Sequence, residues 1–194
     1  MLTAIKHNLT HIADFTGRED RPTFWWYVLF LVIIEVVLGF GVSLSMAAGG
    51  FSAAYQAAQS GASQQDIQAE VLRQMSGNIG TVMWLSSGIK LVVTALMVSA
   101  FVRRLHDSNN SGWWAAVAVA VQVAAMGLAL NMASQIQATM ASMTGGDITP
   151  ALAAQAQLSR VGLLGWVAPV IVLVFGVMKS SPGANRYGEG PQTA

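Results

Sequence analysis

Four long apolar segments constrain this chain more than any other feature of its sequence. They cover about residues 24–46, 81–102, 112–130 and 161–178. A helix needs about 20 predominantly apolar residues to cross a bilayer, and no segment alternates strictly between polar and apolar residues. Only 10% of the residues are charged, whereas a soluble domain carries about 25%. The sequence therefore predicts an all-α membrane protein with four transmembrane helices.

The basic residues predict how these helices are oriented. Seven of them would share one side of the membrane, namely Lys6, Arg18, Arg21, Arg103, Arg104, Lys179 and Arg186. Arg73 and Arg160 would lie on the other side. Because Lys and Arg are enriched in cytoplasmic segments, we expect both termini in the cytoplasm.

The two segments on the predicted outer side have similar compositions. Residues 47–80 and 131–160 are both rich in Ala, Gln and Ser, with few charges. We expect both to be outward loops, each with a short polar helix. The whole chain, 1–194, then forms a single four-span membrane domain.

The remaining composition excludes several classes of function. The chain has no Cys, so it has no disulfide framework and no Cys-based metal or redox site. Its net charge of +1 is far from the strongly basic surface of a nucleic-acid-binding protein. We expect no nucleic-acid partner and no cofactor.

The amino-terminal stretch has an amphipathic pattern. Leu2, Ile5, Leu9 and Ile12 recur at helical spacing, which predicts a short helix on the cytoplasmic membrane surface. His7, His11 and Asp14 would share one side of this helix. Such a pattern is more typical of a polar face than of a metal site, and we expect no metal there.

Three polar motifs fall on the predicted cytoplasmic side, at residues 15–26, 103–114 and 181–191. Arg103 and Arg104 would end an inward-running helix, where cations suit the helix dipole. Asp107 follows them by four and three residues, within ion-pair reach on a continuing helix. In the third motif, Asn185 and Gly188 can adopt positive φ, so we expect a turn.

The three motifs together resemble those of a bacterial family of inner-membrane proteins, the domain of unknown function 805. The matching residues are Phe15-x-Gly17-Arg18-x-x-Arg21-x-x-Phe24-Trp25, Arg103-Arg104-Leu105-His106-Asp107 with Ser111-Gly112-Trp113-Trp114, and Pro182-Gly183-x-Asn185-x-Tyr187-Gly188-x-x-Pro191. The family often has a Gly and a basic residue where this chain has Ser108, Asn109 and Asn110. The resemblance implies a multi-pass protein of the bacterial inner (plasma) membrane, and it implies no established activity.

The polar residues of these motifs allow three interpretations. The cluster consists of Arg18, Arg21, Arg103, Arg104, His106, Asp107, Asn185 and Arg186. We favour a structural clamp, in which the arginines bind Asp107 or the carbonyl ends of the second and fourth spans. The same cations could instead converge on a phosphate, most simply a lipid headgroup. Catalysis is the least favoured interpretation, because His106 and Asp107 are adjacent and no nucleophile has an evident partner.

Glu35 and Lys90 are the ionisable residues within the predicted spans. At a rise of 1.5 Å per residue they lie roughly 16 and 14 Å from the outer ends, near the middle of the bilayer core. A lone charge at that depth costs about 2.5–3.5 kcal/mol. We therefore expect the two side chains to face each other or to share a polar network with Gln122, as a structural pair or as part of a transport path.

These patterns together predict a non-catalytic membrane scaffold or accessory protein. Its expected partners are the phospholipid bilayer, anionic headgroups, and another membrane protein or further copies of this chain. The alternative is a small oligomeric transporter or channel that uses Glu35 and Lys90.

Overall fold

The computed structural model describes residues 1–142, 156 and 159–189, and this part of the chain is mainly helical. The named helices are α1 (Leu2–Thr10), α2 (Arg21–Gln59), α3 (Gln64–Asp107), α4 (Trp113–Ser142) and α5 (Val167–Val177). Residues 159–165 are also helical, and a turn at Trp166 separates them from α5. Four helices are long and apolar enough to cross a membrane, namely Arg21–Gln59, Gln64–Asp107, Trp113–Ile136 and Ser159–Val177. The prediction of an all-α protein with four spans is confirmed.

The first two spans belong to helices much longer than a membrane crossing. At 1.5 Å per residue, the 39 residues of α2 and the 44 residues of α3 extend about 58 and 66 Å. The predicted loop 47–80 is therefore wrong in extent, since only residues 60–63 separate the two helices. Ala and Gln favour helix, which explains why this polar segment continues α2 and α3. Of the predicted loop 131–160, α4 takes residues up to Ser142, and most of the rest lies outside the described residues.

The short connection between α2 and α3 has the chemistry of a helix stop and start. Gly61 adopts φ +77°, the left-handed conformation that commonly ends a helix. Ser63 Oγ accepts a hydrogen bond from the backbone N–H of Asp66 at 3.2 Å, and Asp66 Oδ2 accepts one from Ser63 N at 3.2 Å. This reciprocal pair is a capping box, so the turn is specified locally.

The chain divides into two compact units. Unit 1 contains residues Met1–Val36, Lys90–Ala124 and Leu164–Ala194, and unit 2 contains Val37–Ile89 and Ala125–Leu163. The core of unit 1 is built on large side chains such as Phe24, Tyr27 and Phe101, each at most 2% exposed. All of the residues discussed as a candidate site belong to unit 1.

The predicted amino-terminal helix is present as α1. Its buried residues are Ala4 and Asn8, whereas Leu2 and Leu9 are 82% and 43% exposed. These two leucines therefore do not pack α1 against the rest of unit 1. They form an apolar surface of the kind that a membrane interface covers.

Candidate functional site: a buried arginine clamp

Asp107, the last residue of α3, is fully buried and forms the centre of the candidate site. Its Oδ1 accepts hydrogen bonds from Arg18 Nε at 3.1 Å and from Arg18 Nη2 at 3.0 Å. Its Oδ2 accepts hydrogen bonds from Arg104 and from the Ser180 hydroxyl. Its backbone carbonyl accepts a hydrogen bond from Ser181 N at 2.8 Å. One residue thus joins the segment before α2, the end of α3 and the segment after α5.

The guanidinium groups of Arg18 and Arg104 also bind backbone carbonyls, Arg104 at the carboxyl end of α5 and Arg18 in the segment that follows it. Their side chains are 1% and 0% exposed. Arg18 Nη1 donates to the carbonyl of Gly183 at 2.6 Å, and Arg104 donates to the carbonyls of Gly176 at 3.1 Å and of Met178. Carbonyl groups at a helix end lack intrahelical partners, and a cation there is favoured by the helix dipole. Arg104 therefore binds carbonyls at the end of α5, and Arg18 joins the segment after α5 to the end of α3.

Arg103 is the centre of a second buried network, which holds α1. Its Nε and Nη2 donate to Glu19 Oε2 at 3.1 Å and to Asn8 Oδ1 at 2.6 Å, and its Nη1 donates to the carbonyls of His11 and Asp14. Asn8 Nδ2 in turn donates to Glu19 Oε1 at 2.7 Å. Burial raises the pKa of Glu19, against the opposing effects of Asn8 and Arg103. We call the five charged residues of the two networks the arginine clamp, and they are Arg18, Glu19, Arg103, Arg104 and Asp107.

His106, Tyr187 and Asn185 form a layer beside the clamp. The rings of His106 and Tyr187 stack with centroids 3.7 Å apart and planes inclined by 9°. Asn185 Nδ2 donates to the His106 carbonyl at 2.9 Å. Arg186 lies over the Tyr187 ring, 4.7 Å from its centroid, and donates to the Asn109 carbonyl at 3.2 Å. This layer fixes the carboxyl-terminal segment against the end of α3.

The structure brings most of the predicted cluster together, with specific differences. Of the two arginines that precede Asp107 on α3, Arg104 pairs with it, whereas Arg103 pairs with Glu19 at 3.0 Å. The second cation at Asp107 is Arg18. The Arg21 side chain is exposed and makes no hydrogen bond or ion pair with a described residue. The expected turn is present between Asn185 and Gly188, and of these two residues Gly188 adopts a positive φ, at +123°.

Three residues that the sequence did not single out complete the clamp. Asn8 and Ser180 supply its neutral hydrogen-bonding groups. At Gly176, an added Cβ would lie 2.8 Å from the Trp25 ring and 2.9 Å from the Phe24 ring, so only glycine fits without a shift. No local signal identified these residues, because each acts through partners that are distant in sequence.

Glu35 and Lys90 form the ion pair expected from their depths, with 2.8 Å between Lys90 Nζ and Glu35 Oε1. Their side chains are 35% and 42% exposed, respectively. The pair lines a cavity of about 250 Å³ within unit 1, and Gln122 lines the same cavity. The three residues proposed to share a polar network therefore do border one space, although Gln122 makes no hydrogen bond to any described residue.

The side chains of the amino-terminal His7, His11 and Asp14 make local contacts. The two imidazole rings stack with centroids 4.6 Å apart. Asp14 accepts hydrogen bonds from the N–H of Thr16 at 2.9 Å and from its hydroxyl at 2.6 Å, and these bonds lower the pKa of Asp14. Across the described residues, no group of three His, Asp or Glu side chains is arranged to hold a metal ion.

The helices and the arginine clamp define a class of protein, a multi-pass helical membrane protein whose helix ends are joined by buried ion pairs. The chain matches the model of the family described as Protein of unknown function (DUF805) over residues 12–189, and it belongs to that family. The match includes all five clamp residues, whereas Asn8 lies before it. No curated protein and no solved structure matches the chain.

Proposed function

We propose that this chain is a non-catalytic scaffold or accessory protein of the bacterial inner membrane, with both termini in the cytoplasm. In this proposal the arginine clamp holds the helix ends and the neighbouring exposed cations contact anionic headgroups or a partner protein. The distribution of Lys and Arg supports the orientation. The family resemblance supports the bacterial membrane.

The observation that carries this proposal is the internal use of the three clamp arginines. Arg18, Arg103 and Arg104 have side chains at most 4% exposed, and all of them donate to carboxylates and carbonyls of the chain itself. A phosphate would have to displace these acceptors and leave the buried carboxylates of Glu19 and Asp107 without their cations, which is costly. The headgroup contact is therefore assigned to exposed cations, namely Arg21, Lys179 and Arg186.

The contacts of the clamp also support a non-catalytic role. The Asp107 carboxylate is bound between two guanidinium groups, and the His106 ring stacks on Tyr187. A general base must reach the nucleophile that it activates. The Ser180 hydroxyl donates to Asp107 Oδ2, which also accepts a hydrogen bond from Arg104, so this hydroxyl serves as one of the donors that hold the carboxylate in place.

Native mass spectrometry with added phosphatidylglycerol tests the headgroup assignment. The combined variant Arg21→Gln and Lys179→Gln should lose most of the bound lipid and keep its thermal stability. Arg104→Lys should lose thermal stability and keep the lipid, because lysine lacks the planar donor fork. Arg73→Gln, in unit 2, is the matched control for an exposed arginine. Loss of lipid in a well-folded Arg104→Lys variant would contradict the proposal and make the buried arginines the anion site.

Single cysteines test the orientation without background, because the chain has none. Ser60→Cys lies in the connection between α2 and α3, and Ala184→Cys lies after α5. In intact spheroplasts, a membrane-impermeant maleimide should label Ser60→Cys directly and Ala184→Cys only after permeabilisation. The opposite labelling pattern would reverse the proposed orientation.

A second candidate function is a small oligomeric transporter or channel. The observation that favours it is the ion pair between Glu35 and Lys90, since intramembrane ionisable residues mark solute and proton paths. Its test is ion or proton flux in liposomes. Flux that disappears in Glu35→Gln while the melting temperature is preserved would favour transport over a structural pair.

A further inference from the structure

The cavity in unit 1 has apolar walls and a small polar region. Its walls come from α2, α3, α4 and α5, and they include Trp25, Phe101, Ala118 and Val172. Its volume of about 250 Å³ exceeds the roughly 150 Å³ that accommodates benzene. It is slightly below the range of about 300–1,000 Å³ for drug-sized ligands. The space therefore fits one ring or short chain with a polar substituent.

Gln122 is the residue that gives this cavity its chemistry. It is 7% exposed and borders the cavity. Within the described part of the chain, no group forms a hydrogen bond with its side-chain amide. A primary amide can donate two hydrogen bonds and accept two. Leaving it unpaired in an apolar environment costs several kcal/mol. The cavity is therefore suited to an occupant that supplies a hydrogen-bonding group.

The charge of the cavity selects among such occupants. Glu35 and Lys90 also border it, but they are paired with each other at 2.8 Å and their formal charges cancel. An ionic ligand would find no free counter-charge and would bear the cost of burial in a low dielectric. A neutral ligand keeps the ion pair intact and can still bind Gln122.

We propose that unit 1 binds a small, neutral, lipid-soluble molecule with one hydroxyl or carbonyl group, anchored by the amide of Gln122. Its ring or short chain lies against the apolar walls, and its polar group takes the hydrogen bonds that Gln122 lacks. Entry from the hydrocarbon phase suits such a molecule because it is already concentrated there. This site is independent of the headgroup contact assigned to the exposed cations.

Trp25 provides a reporter for this site, because it lines the cavity. Bromine quenches indole fluorescence at short range, so 4-bromobenzyl alcohol is a suitable probe. The control compound is 4-bromotoluene, which has the same ring and bromine but lacks the hydroxyl group. The measurement uses a full-length variant in which Trp25 is the single tryptophan and the other five are Phe. A second variant that keeps only Trp84, which does not border the cavity, reports partition of the probe into the detergent or bilayer.

The proposal predicts saturable quenching of Trp25 by the alcohol and unsaturable, weaker quenching of Trp84. Gln122→Leu keeps a similar side-chain volume and removes the amide. It should weaken binding of the alcohol about tenfold, as expected for one buried hydrogen bond, and leave the binding of bromotoluene unchanged. Ala118→Phe should fill the cavity and abolish saturation, while Ala116→Phe, which does not border the cavity, should preserve it.

Three results would overturn the proposal. Equal, linear quenching of Trp25 and Trp84 would mean partition only. Saturable binding that is indifferent to Gln122→Leu would mean an apolar space without the proposed anchor, of the kind that any acyl chain fills. Absence of quenching at Trp25 in a protein with native melting would mean that the cavity is closed or holds water. If Ala118→Phe does not fold, Gln122→Leu still decides among these outcomes.

Discussion

Neutralising Asp107 should destabilise the protein more than any other single change in the arginine clamp. Asp107→Asn keeps an oxygen at Oδ1 for Arg18, but it replaces Oδ2 by an NH₂ group that faces the donors of Arg104 and Ser180. The carboxylate is 0% exposed and its two arginines are at most 1% exposed, so water does not compensate for the loss.

The expected magnitude follows from this burial. Removing one partner of a buried ion pair costs about 3–5 kcal/mol, which is a factor of about 10² to 10⁴ in the unfolding equilibrium. Tryptophan fluorescence during denaturation in detergent measures the change. The exposed pair of Glu70 and Arg73 provides the control, since its side chains are 35% and 79% exposed. Glu70→Gln should have no measurable effect.

A local measurement separates loss of the clamp from general damage. Lys179 is exposed and precedes Ser180, whose hydroxyl is bound by Asp107. Trypsin should therefore cleave after Lys179 faster in Asp107→Asn than in the parent protein under conditions where both remain folded. A loss of less than about 1 kcal/mol, together with unchanged cleavage after Lys179, would refute the argument that Asp107 holds these segments.

Three further changes test other parts of unit 1. Gly176→Ala should lower the free energy of unfolding by about 1–3 kcal/mol because its Cβ overlaps two aromatic rings. The control Gly165→Ala has open space at its Cβ and should show no loss in the same denaturation assay. The raised pKa of Glu19 means that the folded state binds its proton more readily than the unfolded state, whose pKa is near 4.5. The free energy of unfolding of the parent protein should therefore decrease as pH rises from 4.5 through the raised pKa. Glu19→Gln should lack this pH-dependent decrease when the melting temperature is followed from pH 4.5 to 8. Glu35→Gln should lower the melting temperature by leaving Lys90 without its partner. Adding Lys90→Met should restore part of the lost melting temperature. An unchanged melting temperature in the single variant would count against a structural pair.

The membrane spans were predictable because they depend on local composition. A run of about 20 apolar residues has few alternatives to a transmembrane helix, and the four predicted segments all lie within or largely coincide with the four candidate spans. The contact between Glu35 and Lys90 was predictable for the same reason, since the constant rise of a helix converts sequence position into depth. The error at residues 47–80 came from treating a polar, Ala- and Gln-rich segment as a loop, although these residues favour helix.

The pairing within the clamp depended on tertiary structure. The sequence placed arginines and Asp107 at helix ends, and it identified motifs that correctly indicated the family. It did not determine which arginine meets which carboxylate, because Arg18 and Asp107 are 89 residues apart and Arg103 and Glu19 are 84 apart. Such pairs are determined by the tertiary structure. A buried guanidinium must bind acceptors, and the packing of the helices determines which acceptors lie within reach.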